Sequence, residues 1–403
     1  MRSENAEIVL APERGKGGFG VSQELDQEVV KCVIFTQADI DLLRLLRWGR
    51  HILPESLAGT FPQRVIEDMA GQGYLKLHEK SGSFVLTAKG NQLLSGLLSQ
   101  LPPDTPPSYR PAETQRRIRL SKLLMTGYRG SVRVFTTDVG DLSATPSLFL
   151  PAIVRGRGHN PWGSTRVAAL AHLGNLLCAI HYVYPGAGKV ALTDELTSFN
   201  NHTARFSEQR RCFLFTGDTY TDVLKELDAA GGDTDKKLIS YGDAYRVLRL
   251  PVHLLSCDET GAVQLQVMAT PDYRRRYTMA ALKSSYQPPP EDKTQWDAIF
   301  QGAPFVMAAD MDLRRIDAAW RDALEVSCSQ IGIVALEKQI SVLRARYPKA
   351  HFYLLKEATL AEVLGHPPKL YVPPGTQYLT EKGETVYAPF VQAHGKAGGH
   401  HCP

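Results

Sequence analysis

The chain has 403 residues, 43% of them hydrophobic and 22% charged, enough apolar content to bury a core and a length that suits two or three domains. Its formal net charge of +4 excludes a global field as the means of holding nucleic acid, so any such surface has to be a local patch. The six cysteines (Cys32, Cys178, Cys212, Cys257, Cys328, Cys402) include no CxxC pair, which excludes a zinc ribbon or a dithiol redox motif. Cys178, Cys212 and Cys257 sit in or beside apolar runs, as fits free thiols in a reducing cytoplasm. The N-terminus lacks a signal peptide's pattern, and the longest apolar stretch, 173–183, is broken by Asn175 and His181, well short of the ~18 residues of a membrane helix. The expectation is a soluble, cytoplasmic protein with no membrane partner.

Residues 1–32 read as a flexible arm, with a basic, glycine-rich run at 14–20 that no strand precedes. Organised structure is predicted over 33–100. Thr36 with Asp39 has the spacing of a capping box. Ile40, Leu42, Leu43, Leu45 and Leu46 then form the apolar face of a first helix, which Gly49 ends. Pro54 suits the first turn of a short second helix, and Pro62 opens a third that Gly71 and Gly73 close. Residues 74–78 and 84–86 read as two strands of a hairpin, and a fourth helix follows to Leu98.

Residues 101–131 comprise a proline-rich linker and a basic segment; over 110–133 the chain holds Arg110, Arg116, Arg117, Arg119, Lys122, Arg129 and Arg133 against one acid, Glu113. From 132 to 372 apolar runs alternate with helical patterns, the signature of an α/β sheet domain. Strands are predicted at 132–135, 148–154, 176–183, 212–215, 247–255, 263–268, 305–308, 331–335 and 352–355. The turn 258–261 is read as joining two of them in a hairpin. Helices are predicted at 219–229, 313–324, 337–347 and from Leu360. Residues 373–403 read as an irregular tail. The fold class expected is therefore a multidomain α+β or α/β protein: an N-terminal winged helix-turn-helix followed by an α/β sheet domain.

Helix, helix, turn, helix, hairpin, helix is the order of a winged helix. Val65, Ile66 and Met69 share the inner face of the third helix, leaving Gln63, Arg64, Glu67 and Asp68 outside. In this motif class that face enters the major groove, where base edges carry a distinguishing pattern. Gln63 and Arg64 are the candidate groove contacts, and Lys76, His78 and Lys80 those of the wing. Arg116, Arg117 and Arg119 are candidate phosphate contacts whose charge would release counterions.

The segments Phe35-Thr36-Gln37-Ala38-Asp39-Ile40, Leu75, Phe84-Val85-Leu86-Thr87-Ala88-Lys89-Gly90 and Leu93-Leu94 resemble the winged helix of the replication-relaxation family. That family occurs on plasmids and integrative conjugative elements of Gram-positive bacteria. The resemblance implies an accessory role in replication or transfer of a mobile element, with DNA and other mobile-element proteins as partners. It also implies an α/β domain of degenerate, nuclease-like fold, and it carries over no catalytic motif.

Enzymatic readings fit the residues less well. An active metal-dependent nuclease of the acid-x-Lys type needs carboxylates and a lysine on adjoining strands. Here acid-x-Lys occurs at 235–237 and 291–293, in loops beside Gly231-Gly232 and Pro288-Pro289-Pro290. Asp194 and Glu195, and the strand-end pair Asp310 and Asp312, lack a nearby lysine. Residues 185–190 miss the phosphate-loop pattern, which requires Gly where Val183 stands and Ser or Thr where Val190 stands. His394, His400, His401 and Cys402 lie in the tail with nothing to enforce a ligand geometry. The expectation is a DNA-binding protein without catalytic residues, cofactor or metal. The alternatives are a nuclease-like enzyme and a winged helix that binds a protein partner.

Overall fold

A computed structural model of the chain describes residues 34–102, 110–137, 145–150, 165–204, 209–229, 231–232, 236–325, 330–368, 370, 377–380 and 385–387, the last two segments as backbone only. The expected arm at 1–32, its glycine-rich run and the tail histidines lie outside these residues.

Strand β1 (Ile34–Thr36) runs into α1 (Gln37–Gly49), followed by α2 (Pro54–Leu57), α3 (Gln63–Gly71), β2 (Leu75–His78), β3 (Ser83–Leu86) and α4 (Ala88–Leu97). Local chemistry explains several of these boundaries. The Thr36 hydroxyl accepts the Asp39 N–H at 3.2 Å while the Asp39 carboxylate accepts the Thr36 N–H at 2.7 Å, closing a capping box. Gly82, at φ 62°, turns β2 back on β3, and the two pair antiparallel with Leu75 opposite Leu86.

Helix α1 is buried almost all round, including Ile40, Leu42, Leu43, Leu45, Leu46 and Trp48, because a second neighbour covers it. That neighbour is α5 (Pro111–Arg129), 19 residues long. A Cβ on Gly49 would meet the Ser121 Cβ at 3.1 Å, so the glycine is what lets the two helices approach. Tyr128 of α5 donates its hydroxyl to the buried Asp41 of α1 at 2.8 Å. The basic segment is thus a central helix that ties the elements before the proline-rich stretch to those after it. From Ile34 onward the chain forms one compact unit.

The remainder is mixed α/β. One sheet has the order β4-β5-β6-β7-β8, from β4 (Ser147–Phe149), β5 (Ala169–Leu173), β6 (Leu176–Tyr182), β7 (Arg210–Gly217) and β8 (Val252–Ser256). Its first two pairings are antiparallel and its last two parallel. The parallel crossovers carry α6 (Leu192–Thr203), then α7 (Tyr220–Asp228) and α8 (Tyr241–Val247). After α9 (Glu259–Ala269) and α10 (Tyr273–Leu282) comes a second sheet of order β12-β11-β10-β9. It is built from β9 (Ala298–Phe300), β10 (Ala303–Met307), β11 (Gly332–Ala335) and β12 (His351–Leu354), crossed over by α11 (Leu313–Glu325) and α12 (Glu337–Arg346) and followed by α13 (Glu357–Leu364).

A single apolar cluster, from Phe149 and Phe213 to Val306 and Ile333, spans both sheets. A buried polar seam joins them as well. Gln264 donates to the carbonyls of Leu254 and Asp310, and Gln339 donates to the Tyr220 hydroxyl and to the Ala309 carbonyl. Three of these bonds satisfy backbone carbonyls buried between the sheets. Among the described residues, no helix is long and apolar enough to cross a membrane.

Four of the segments read from the sequence fold differently, and the helices α6 and α10 and the strands β5 and β9 were not foreseen. Residues 263–268 are helix, not strand, and 258–261 is no hairpin turn. Asp258 caps α9 by accepting the Gly261 N–H at 3.0 Å, and a helix buried on several sides leaves a continuous apolar run that a strand shares. The run 247–255 splits into the end of α8 and β8 around Pro251, which cannot donate to a ladder. Residues 132–135 form only an isolated bridge, Arg133 to Ser147. Part of the tail expected to be irregular is strand: β13 (Gln377–Thr380) pairs with β1 and with β14 (Thr385–Tyr387).

The cap of α9 yields a sharp expectation. A Cβ on Gly261 would fall 1.8 Å from the Ser256 carbonyl oxygen, a backbone atom that cannot move without disturbing β8. Gly261→Ala is expected to cost roughly 3 kcal/mol, read as a lowered urea midpoint with an unchanged slope.

Candidate nucleic-acid interface

Helix α3 buries Ile66 and Met69, half-buries Val65, and leaves Gln63, Arg64, Glu67 and Asp68 exposed. The outer face carries two pairs at helical spacing. Gln63 donates to Glu67 at 3.0 Å, and the Arg64 guanidinium lies 3.4 Å from Asp68, its side chain 86% exposed. Exposed pairs of this kind are weak and salt-screened, so both donors are available to exchange their carboxylate for another acceptor.

On the hairpin, Lys76 and Lys80 are exposed, and neither has an ion pair among the described residues. His78 is placed differently from the sequence expectation. Its ring bonds the Ser81 hydroxyl at 2.7 Å and stands edge-on to His51, whose Nδ1 lies 2.9 Å from the Ser83 hydroxyl. Burial, with the charges of His78 and Arg117 nearby, lowers His51 to about 4, so its imidazole is neutral. The two histidines therefore brace the hairpin turn. The sequence held the clue only in the serines at 81 and 83.

The basic helix is largely engaged within the chain. Arg116 and Arg117 share Glu113, at 3.0 and 2.9 Å. Burial alone would raise that carboxyl, but the two guanidinium groups hold it below its ordinary range. The Arg119 guanidinium lies over Tyr184, its Cζ 3.5 Å from the ring centroid. Lys122 bonds Asp218 at 2.6 Å. Of the three predicted phosphate contacts only Arg116 is exposed. The fold does bring α5 to the hairpin: Ser81 and Leu53 line one cleft of about 400 Å³ with Gln115, Arg119 and Lys122.

A second constellation is buried between the sheets. Asp310, just beyond β10, is fully buried. It accepts the Tyr273 hydroxyl at 2.7 Å and the Arg274 Nε and Nη2 at 2.8 and 2.5 Å. Arg274 also reaches Asp312 at 3.2 Å, and His253 of β8 lies 3.7 Å from the Asp310 carboxylate. Nearby, Arg315 pairs with Asp297 at 2.6 Å. Ligand atoms of His253, Asp310 and Asp312 lie within 4.8 Å of one another, the spacing a metal ion needs. The Arg274 guanidinium, however, stands against both carboxylates where a cation would bind. These donors fit an ion-pair lock, which a metal would have to break. The sequence reading singled out Asp310 and Asp312, but no local signal pointed to Arg274. Of the acid-x-Lys sequences, 291–293 lies in a turn, and Asp235 of the other is outside the described residues.

No protein-family model, curated protein or solved structure matches this chain.

Proposed function

We propose that the protein binds double-stranded DNA, with α1 to α4 and the β2–β3 hairpin acting as a winged helix. The observation that carries this reading is the placement of α3. It presents its whole outer face, Gln63 and Arg64 foremost, beside a hairpin with two exposed lysines, while its neighbour α1 is buried. A helix of that width fits the major groove, and a two-stranded hairpin beside it reaches the flanking phosphates. Glu67 and Asp68 lie on the second turn of the same face. They favour docking by the first turn, where the donors are.

The role assigned is accessory to replication or transfer of a plasmid or conjugative element. It rests on the resemblance of these segments to the replication-relaxation winged helix. Arg116 adds one phosphate contact at the edge of the surface. Arg117 and Arg119 act chiefly by holding α5 in place.

The test is fluorescence anisotropy with a labelled duplex across a range of salt. Arg64→Ala, Lys76→Ala and Lys80→Ala combined are expected to weaken binding at least tenfold. They should also flatten the slope of log affinity against log salt by about two to three units, since each lost phosphate contact removes about one. Wild-type affinity and slope in the triple variant would refute the reading. If they came with capture of a partner protein through exposed Glu67, Asp68 and Leu77, they would favour the protein-interaction alternative.

A further inference from the structure

At the opposite end of the parallel strands from the hairpin lies a cleft of about 260 Å³. Three guanidinium groups line it: Arg210 and Arg211 at the start of β7, and Arg274 on α10. Two of them are fixed in advance. Arg211 donates its Nε to the Thr203 hydroxyl at 3.0 Å and its Nη2 to the Thr203 carbonyl at 3.1 Å. Arg274 is held through its Nε and Nη2 by the Asp310 lock. Both are thus anchored along the Nε and Nη2 edge, and among the described residues neither Nη1 has a bond in its own chain. Arg210 is exposed, and its side chain has no partner among the described residues. Its backbone N–H donates to the Asn175 carbonyl at 2.9 Å, which sets the base of the side chain at the cleft wall.

Two acids also line the cleft. Asp312 is already paired with Arg274, and Asp272 stands exposed at the rim. We infer that this cleft is a phosphate-binding site, in which Arg211 and Arg274 form a rigid floor and Arg210 closes over the bound group. The Nη1 groups of Arg211 and Arg274 and the whole guanidinium fork of Arg210 can donate to phosphate oxygens, and anchoring two of the three side chains beforehand lowers the ordering cost of binding. The cleft is small for a drug-sized ligand and suits a phosphoryl group with little more attached. A free phosphate or nucleotide and the 5′-phosphate of a DNA strand offer the same chemistry. The site is independent of duplex binding by α3.

Calorimetric titration of the full chain with inorganic phosphate, at constant ionic strength and with chloride as control, tests the site. A second arm compares an oligonucleotide carrying a 5′-phosphate with the same strand carrying a 5′-hydroxyl. Arg210→Ala is the variant of choice, because that side chain supports nothing else and the fold stays intact. Saturable phosphate binding that falls at least tenfold in Arg210→Ala is expected. A preference for the phosphorylated strand, lost in the same variant, would identify a DNA end as the source, and its absence a free phosphate compound. Failure of phosphate to bind the wild type, or equal binding by Arg210→Ala, would overturn the assignment. Arg211→Met, with folding checked by circular dichroism, should reproduce the loss, and full retention of binding there would equally contradict it.

Discussion

Replacing Arg274 with methionine is expected to destabilise the protein by about 3–5 kcal/mol at neutral pH, the cost of leaving a buried charge without its partner. Asp310 is fully buried and takes two of its bonds from that guanidinium. Removing Arg274 strands Asp310 and Asp312 side by side. The double variant Arg274→Met with Asp310→Asn should recover part of the loss, because the uncompensated charge is gone.

The same lock predicts the pH dependence of stability. Burial pulls His253 down, but a hydrogen bond with Cys212 and the Asp310 carboxylate outweigh it and hold the imidazole up at about 9, against 6.5 for the ordinary group. A folded-state pKa above the unfolded one stabilises fully below about 6.5 and loses that contribution as pH rises through 9. Asp310 behaves oppositely. Burial would raise it, but Arg274, Arg315 and His253 hold it well below its ordinary 3.8. Its contribution is present above 3.8 and disappears as pH falls through the lower folded value. Urea midpoints should therefore plateau between these limits and fall on both flanks. In Arg274→Met the acid flank should rise toward the wild type, as the stranded carboxylates protonate.

The second large effect is expected at Arg129, the last residue of α5. Its Nε donates to the Thr60 hydroxyl at 2.6 Å, and its Nη2 to the carbonyls of Ser56 and Ala58 at 3.0 and 2.6 Å. These acceptors lie at the end of α2 and in the turn that leads to α3, so one side chain ties that turn to α5. Bonds from a charged donor contribute about 1.5–3 kcal/mol each, with strong overlap when they share one group. Arg129→Ala is expected to cost about 2–4 kcal/mol and to raise amide exchange across 56–62. Arg129→Lys, which keeps the charge but not the fork, should restore only part of the loss. If α3 docks in the groove, the alanine variant will also bind duplex DNA more weakly, although Arg129 itself touches none.

The N-terminal quarter was legible because its boundaries are written in local chemistry. Thr36 with Asp39, Pro54, Pro62 and Gly82 each act within a few residues of themselves. The sheets were legible where β-branched and aromatic runs stand between breakers, as at β7 and β11. They were not where composition is ambiguous. β5 is the alanine-rich stretch Ala169–Leu173, set off from β6 only by the turn at Gly174. Helix α9 was hidden because Asp258 and Gly261 suit a hairpin turn and a helix cap equally well. The basic helix shows a different limit. Composition reveals the charge of Arg117, Arg119 and Lys122, but not that Glu113, Tyr184 and Asp218 meet it. In the lock, Asp310 was visible at a strand end, while Arg274 stands 36 residues earlier in a run of three arginines. Nothing short of the fold distinguishes it from its two neighbours.

Contact of α3 and the hairpin with the duplex is decided by hydrogen–deuterium exchange of the full chain, with and without saturating double-stranded DNA at low salt. Slowed exchange over 62–68 and 75–83, reversed by added salt, is expected, with the interior of the β6–β7–β8 sheet unchanged. Saturating DNA that leaves both segments at their free rates would contradict a winged-helix mode of binding.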